Sequence, residues 1–236
     1  MPDGPADTGL VEWERIDPEK LLAGNPVQRG HIYHDDPDLG YLVGVWDCTA
    51  QTEHPGPYAV DEFMYLLEGT IIMGLPDGSE ITVNAGEAFV IPKGFRCQWK
   101  QPNYVRKFFM ILDRPITNGA ANPSLTRISL PELKGPVIQP EGKPSDAVLE
   151  TVQKYFVNAD GSMEVAVRDC TKMIVPNARA CRNRLVHVLA GAVTVTANGE
   201  PETFNTGDTF YIPKGISHTW QTATGTRLLE ASFMPD

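Results

Sequence analysis

Two arginines one residue apart, Arg182 and Arg184, and two pairs in which a thiol or an imidazole precedes an indole, Cys97 with Trp99 and His218 with Trp220, are the side chains best equipped for chemistry. A guanidinium presents a planar fork of donors that matches a carboxylate or phosphate, and an indole beside it can cover the apolar part of such a molecule. Glu62 adds a carboxylate inside the apolar run Asp61-Glu62-Phe63-Met64-Tyr65-Leu66-Leu67. Apolar enclosure tunes a carboxylate toward proton transfer near neutral pH. The plainer roles are an ion pair for Glu62, with Arg96 or Arg106, and a salt bridge to the other half or a solvated rim for Arg182 and Arg184. A thiol becomes a nucleophile beside an activating base; the sequence places no histidine near Cys97, so a buried structural thiol is the expectation. Trp99 and Trp220 also suit a core.

Residues two apart share a face only on a strand, so strands must position these groups. An internal repeat supplies them. Val45-Trp46-Asp47-Cys48-Thr49 recurs as Val167-Arg168-Asp169-Cys170-Thr171, and Leu67-Glu68-Gly69 as Leu189-Ala190-Gly191 at the same shift. After a one-residue slip, Gly86-Glu87-Ala88-Phe89-Val90-Ile91-Pro92-Lys93-Gly94 matches Gly207-Asp208-Thr209-Phe210-Tyr211-Ile212-Pro213-Lys214-Gly215, and Trp99 falls on Trp220. Each copy reads as short alternating or β-branched runs cut by Gly, Pro and Asn turns, the pattern of an all-β sandwich or barrel with little helix. Residues 1–12 are expected to be disordered, and 1–30 to form an arm whose Arg15-Ile16-Asp17-Pro18-Glu19 faintly recurs as Arg127-Ile128-Ser129-Leu130-Pro131-Glu132. The two domains are placed at 31–113 and 154–236. Between them, a linker with a lead-in strand is expected at 114–153, broken by Asn118-Gly119, Asn122-Pro123, Gly135-Pro136 and Pro140. Val148, Leu149, Val152, Tyr155 and Phe156 recur at helical spacing after Pro144-Ser145-Asp146, which predicts a helical turn just before 154.

Composition excludes several classes. Thirty acidic against 20 basic residues give a net charge of -10, which disfavours nucleic acid and anionic membrane surfaces as partners. No apolar run approaches a membrane span, and Met1-Pro2-Asp3-Gly4 does not open a secretory signal, so a cytoplasmic location is expected. Cys48, Cys97, Cys170 and Cys181 show no CxxC spacing, which argues for reduced thiols rather than a structural zinc.

Glu62 and Gly69 with six residues between them, and Gly86 and Pro92-Lys93-Gly94 with five between, resemble the two signature motifs of the cupin superfamily. Val45-Trp46-Asp47, Asp61 to Gly69, Phe89 to Phe95 and Val105-Arg106-Lys107 look like its DUF861 group, which includes EutQ-like cupins and is akin to ureidoglycine aminohydrolase. The resemblance implies two tandem jelly-roll barrels, with Glu62, Met64 and Leu66 facing one bore and Arg182, Arg184, Val186 and Val188 the other. Phe63, Tyr65 and His187 would then face outward. Metal-binding cupins use a His-x-His pair before the glutamate and a histidine where Cys97 stands, but here Pro55-Gly56-Pro57-Tyr58 fills the upstream positions and His54 sits one residue off. No cofactor is implied: a divalent transition metal in the first domain would rest on an incomplete set, and Arg184 would repel one in the second.

The leading expectation is a bicupin that binds a small, anionic, carboxylate-bearing molecule through Met64, Cys97, Trp99, Arg182, Arg184, His218 and Trp220. His218 would be the vestige of a lost metal site or a proton shuttle. The runner-up is an isomerase, lyase or hydrolase acting on a small carboxylate or amino-acid derivative with Glu62 as acid or base, and a structural or storage cupin comes third. Exposed sheets would pair as a pseudo-dimer within one chain or as a homodimer.

Overall fold

The computed structural model describes residues 2–115, 124–128, 137–138 and 150–235. The chain divides into two compact units, Met1–Ser129 and Leu130–Asp236. In the first, a sheet runs in the order Val11–Glu12, Gln28–Asp36, Tyr41–Cys48, Val105–Leu112, Asp61–Glu68, Ala88–Ile91, Thr126–Ile128. A second sheet runs Leu21–Gly24, Gln51–Glu53, Arg96–Gln101, Thr70–Gly74, Glu80–Asn84. The other unit repeats the plan: Val137–Ile138, Glu150–Val157, Met163–Cys170, Thr226–Phe233, Asn183–Ala190, Thr209–Ile212 in one sheet, and Met173–Arg179, Ser217–Thr222, Ala192–Ala197, Glu200–Asn205 in the other. Neighbours are antiparallel throughout. Two apposed antiparallel sheets of this order make a jelly-roll barrel in each unit. The only helical segment among the described residues is a 3-10 turn at Pro18–Lys20.

The turn glycines carry the repeat into the backbone. Gly69 and Gly191 end corresponding strands at φ 82° and 75°, and Gly94 and Gly215 follow Pro-Lys at 82° and 92°, a region that L residues with a Cβ resist. Inward side chains then build one core per barrel: Trp46, Met64, Leu66, Ile71, Phe89 and Trp99 in the first, Val186, Val188, Val193, Phe210, Ile212 and Trp220 in the second.

Three expectations change. Residues 2–12 are not disordered: Val11–Glu12 pairs with Gln28–Asp36, and Arg106 holds Asp3 at 2.5 Å. The linker contributes Thr126–Ile128 to the edge of the first barrel's sheet, where Ile128 is buried opposite Ala88. Glu150–Val157 is all strand, because tertiary pairing with Met163–Cys170 overrides the helical spacing of Val152, Tyr155 and Phe156. The cap at Pro144-Ser145-Asp146, Val148, Leu149, Ser129-Leu130-Pro131-Glu132 and the breakers Asn118-Gly119, Asn122-Pro123, Gly135-Pro136 and Pro140 lie outside the described residues.

Gly69→Ala should cost more stability than Gly78→Ala. Both positions hold positive φ, but a Cβ at Gly69 would lie 2.1 Å from the Tyr104 carbonyl oxygen, whereas at Gly78 it meets nothing within 4 Å. Urea unfolding should separate the two variants by roughly 2 kcal/mol or more.

Candidate functional site

In the first barrel Glu62, Met64 and Leu66 are buried on the strand Asp61–Glu68, and Cys97 and Trp99 on Arg96–Gln101. Phe63 is buried as well, so both faces of that strand are covered near the site. Glu62 is not free. Lys107 Nζ donates to its Oε1 at 2.6 Å, and the Tyr58 hydroxyl donates to its Oε2. The ammonium also lies 3.1 Å from Met64 Sδ and 4.9 Å from the ring centroids of both Trp46 and Trp99. An ion pair is thus present, but its cation is Lys107 rather than Arg96 or Arg106. The reason is parity: Arg106 adjoins Lys107 on one strand and faces outward to Asp47 and Tyr104, while Arg96 is exposed at the strand's start.

Burial shifts the neighbouring groups upward. Burial pushes the Cys97 thiol up to about 11, with Glu53 adding to the shift. Burial raises the Glu53 carboxyl, opposed by Lys107 and reinforced by Glu62, and it carries Tyr58 well above its ordinary value, with Glu62 adding. His54 is exposed.

This donor set does not fit a divalent metal. The ammonium of Lys107 occupies the cation's place on Glu62, Cys97 is held as a neutral thiol, and His54 is turned out to solvent. Among the described residues no three His, Cys, Asp or Glu side chains converge.

The second barrel reverses the polarity. Arg184, at the position matched to Glu62, donates to Glu230 at 2.5 Å, and its guanidinium carbon stands 4.6 Å from the centre of the Trp220 ring. Arg168, which replaces Trp46 in the repeat, reaches Glu230 at 3.1 Å, Glu150 at 3.3 Å and Glu164 at 3.8 Å. Arg182 donates to the Ser232 hydroxyl at 3.2 Å and lies 4.0 Å from Glu164. The salt bridges found for Arg182 and Arg184 lie within their own barrel. Burial alone would raise the Glu230 carboxyl, but Arg184 and Arg168 override it and hold it down at about 2.

Arg182, Arg184, His218 and Trp220 all border one cavity of about 290 Å³. Arg168, Arg179, Glu150 and Glu230 border it too, making four guanidinium groups against two carboxylates. His218 is buried, with Nδ1 3.3 Å from the Ile216 carbonyl oxygen. Burial lowers its pKa, the carbonyl opposes this, and the charge of Arg184 lowers it further. The ring is therefore neutral at pH 7, with Nδ1–H donating and Nε2 left as an acceptor. His187, on the other face of its strand, is buried against the Thr209 hydroxyl at 2.8 Å, and burial lowers its pKa to about 4.

Sequence reasoning missed Lys107, Tyr58, Glu53, Arg168, Glu150, Glu164 and Glu230. Two carried a usable signal, since Lys107 precedes Phe108-Phe109-Met110 and Glu230 sits between Leu228-Leu229 and Ala231. A lone charge in an apolar strand needs a buried partner.

Two apposed-sheet barrels in tandem, each with its polar groups inside the bore, define a bicupin. The family model described as the EutQ-like cupin domain matches residues 38–109 and 157–227, and the chain belongs to that family. Among solved structures it is similar to a protein of unknown function of the DUF861 family from Pseudomonas syringae pv. tomato, at 18% identity and TM-score 0.72 over 86% of this chain and 85% of that one. It is also similar to the DUF861 protein Ylba of E. coli, at 12% identity and TM-score 0.55 over 89% and 84%. Salicylate 1,2-dioxygenase from Pseudoaminobacter salicylatoxidans matches at 14% identity and TM-score 0.52 over 82% and 71%. These likenesses establish the fold. No curated protein matches the chain by sequence. Among the described residues no helix is long and apolar enough to cross a membrane.

Two measurements probe the charges. Lys107→Met should cost about 3–5 kcal/mol in urea unfolding, because it strands a buried carboxylate, and adding Glu62→Gln should restore much of that loss. The folded pKa of Glu230 lies below its ordinary 4.5, so its stabilising contribution is complete above that pH and fades as pH falls toward 2. Glu230→Gln should therefore lose most stability against wild type at neutral pH, with the gap narrowing between pH 4.5 and 3.

Proposed function

We propose that this chain binds a small carboxylate-bearing organic molecule in its second barrel, without a metal, while in the first barrel Glu62 is taken up by its own ion pair. The observation that carries this reading is the state of Arg184. Its Nη2 is held by Glu230 and its plane is braced on Trp220, yet its buried Nε has no hydrogen-bond partner among the described residues. A buried N–H without an acceptor is costly, and an anion that drew the guanidinium toward the cavity would supply one. The lining's excess of guanidinium over carboxylate favours the same sign. A cavity of about 290 Å³ suits a small organic acid.

The reading of the first barrel as an enzyme site with Glu62 as acid or base has less support, because both oxygens of that carboxylate are already engaged by Lys107 and Tyr58.

Titration with acetate, lactate, succinate and benzoate, followed by NMR, tests the proposal. At least one acid should bind in saturable fashion, and Arg184→Ala should weaken it roughly tenfold or more, the loss of a charged hydrogen bond. Binding indifferent to Arg184→Ala, or no binding by any acid, would contradict it.

A further inference from the structure

The interior of the second barrel is divided. Beside the arginine cavity lies another of about 360 Å³, bordered by Val195, Phe204, Phe210, Ile212 and Ile216. Phe204 and Phe210 stack there with centroids 4.1 Å apart. His218 borders both spaces and, being buried, stands as the partition between them. It comes from the strand Ser217–Thr222, whose inward residues also include Trp220, so the two spaces are compartments of one bore.

The compartments differ in kind. One is walled by arginines. The other is aromatic and aliphatic, with Glu200 and Glu202 exposed at its lip. A carboxylate would be repelled at that lip and attracted to Arg184, so an amphiphilic acid has one favoured orientation. Apolar surface placed on the stacked rings gains by leaving water.

We infer that the second barrel takes a carboxylate joined to an aryl or branched alkyl arm, with the carboxylate on Arg184 and the arm beyond His218 against Phe204 and Phe210. This rests on the carboxylate-binding reading above and names the class of acid. The partition is a neutral imidazole whose Nε2 can accept a hydrogen bond at the junction of the two ends.

The test compares acetate with 3-phenylpropionate by NMR titration of the full chain. The aryl acid should bind roughly tenfold more tightly or better, the gain expected from burying a phenyl group. Val195→Phe, which fills the apolar compartment, should bring the ratio of affinities near one while acetate binding stays as in wild type. Ile216→Trp, placed at an exposed position, occludes the same space should the first variant not fold, and it should do the same. Equal affinities for the two acids in wild type, both weakened by Arg184→Ala, would overturn the two-compartment inference and leave the arginine site standing. A preference that survives both occluding variants would also overturn it. Binding of neither acid would remove this inference together with the reading on which it rests.

Discussion

Each barrel holds a pair of opposite charges on adjacent strands of one sheet, facing its interior. Glu62 meets Lys107 in the first; Arg184 meets Glu230 in the second. In both, one partner comes from the matched motif strand, Asp61–Glu68 or Asn183–Ala190, and the other from the neighbouring final strand, Val105–Leu112 or Thr226–Phe233. Two charges withdrawn from water are tolerated only when they satisfy one another, so placing Arg184 where the first repeat has Glu62 requires a carboxylate on the neighbouring strand. Glu230 supplies it two residues beyond Leu228, the residue that matches Lys107 in register.

The consequences differ because ammonium and guanidinium differ. Lys107 is a compact cation that Glu62, Met64 and two indoles surround. Arg184 carries its charge over a fork of donors; Glu230 engages one end, Trp220 braces the face and Nε remains over. Arg168 in the place of Trp46 exchanges an indole for a further cation and draws Glu150 and Glu164 into the network. With Arg184 where the first repeat has Glu62 and Arg168 where it has Trp46, four guanidinium groups and two carboxylates border one cavity of the second barrel.

The fold was largely legible. The glycines at 69, 94, 191 and 215 marked turns that require positive φ, and they lie where the repeat places them. Alternation put Arg184, His218 and Trp220 on the inner faces of facing strands, and they border one cavity. The partners were less legible because pairing between strands distant in sequence is set by register, which single strands do not encode. Thus Arg106 is an expected partner for Glu62 and its neighbour Lys107 is not, although one residue's difference sends the side chain to the opposite face. The helical turn expected just before 154 misread for a different reason: the spacing of Val148, Val152, Tyr155 and Phe156 suits a helix locally, and pairing of Glu150–Val157 with Met163–Cys170 decides otherwise.

The central claim is that the anion-accepting interior belongs to the second barrel, whereas in the first Glu62 is already paired with its own cation. Crystals soaked in 3-bromobenzoate would test it most directly through the anomalous signal of the bromine. The account predicts a single bound acid in the second barrel, its carboxylate on Arg184 and its bromine in that bore. A bromine in the first bore with the carboxylate on a displaced Lys107, and nothing at Arg184, would contradict it.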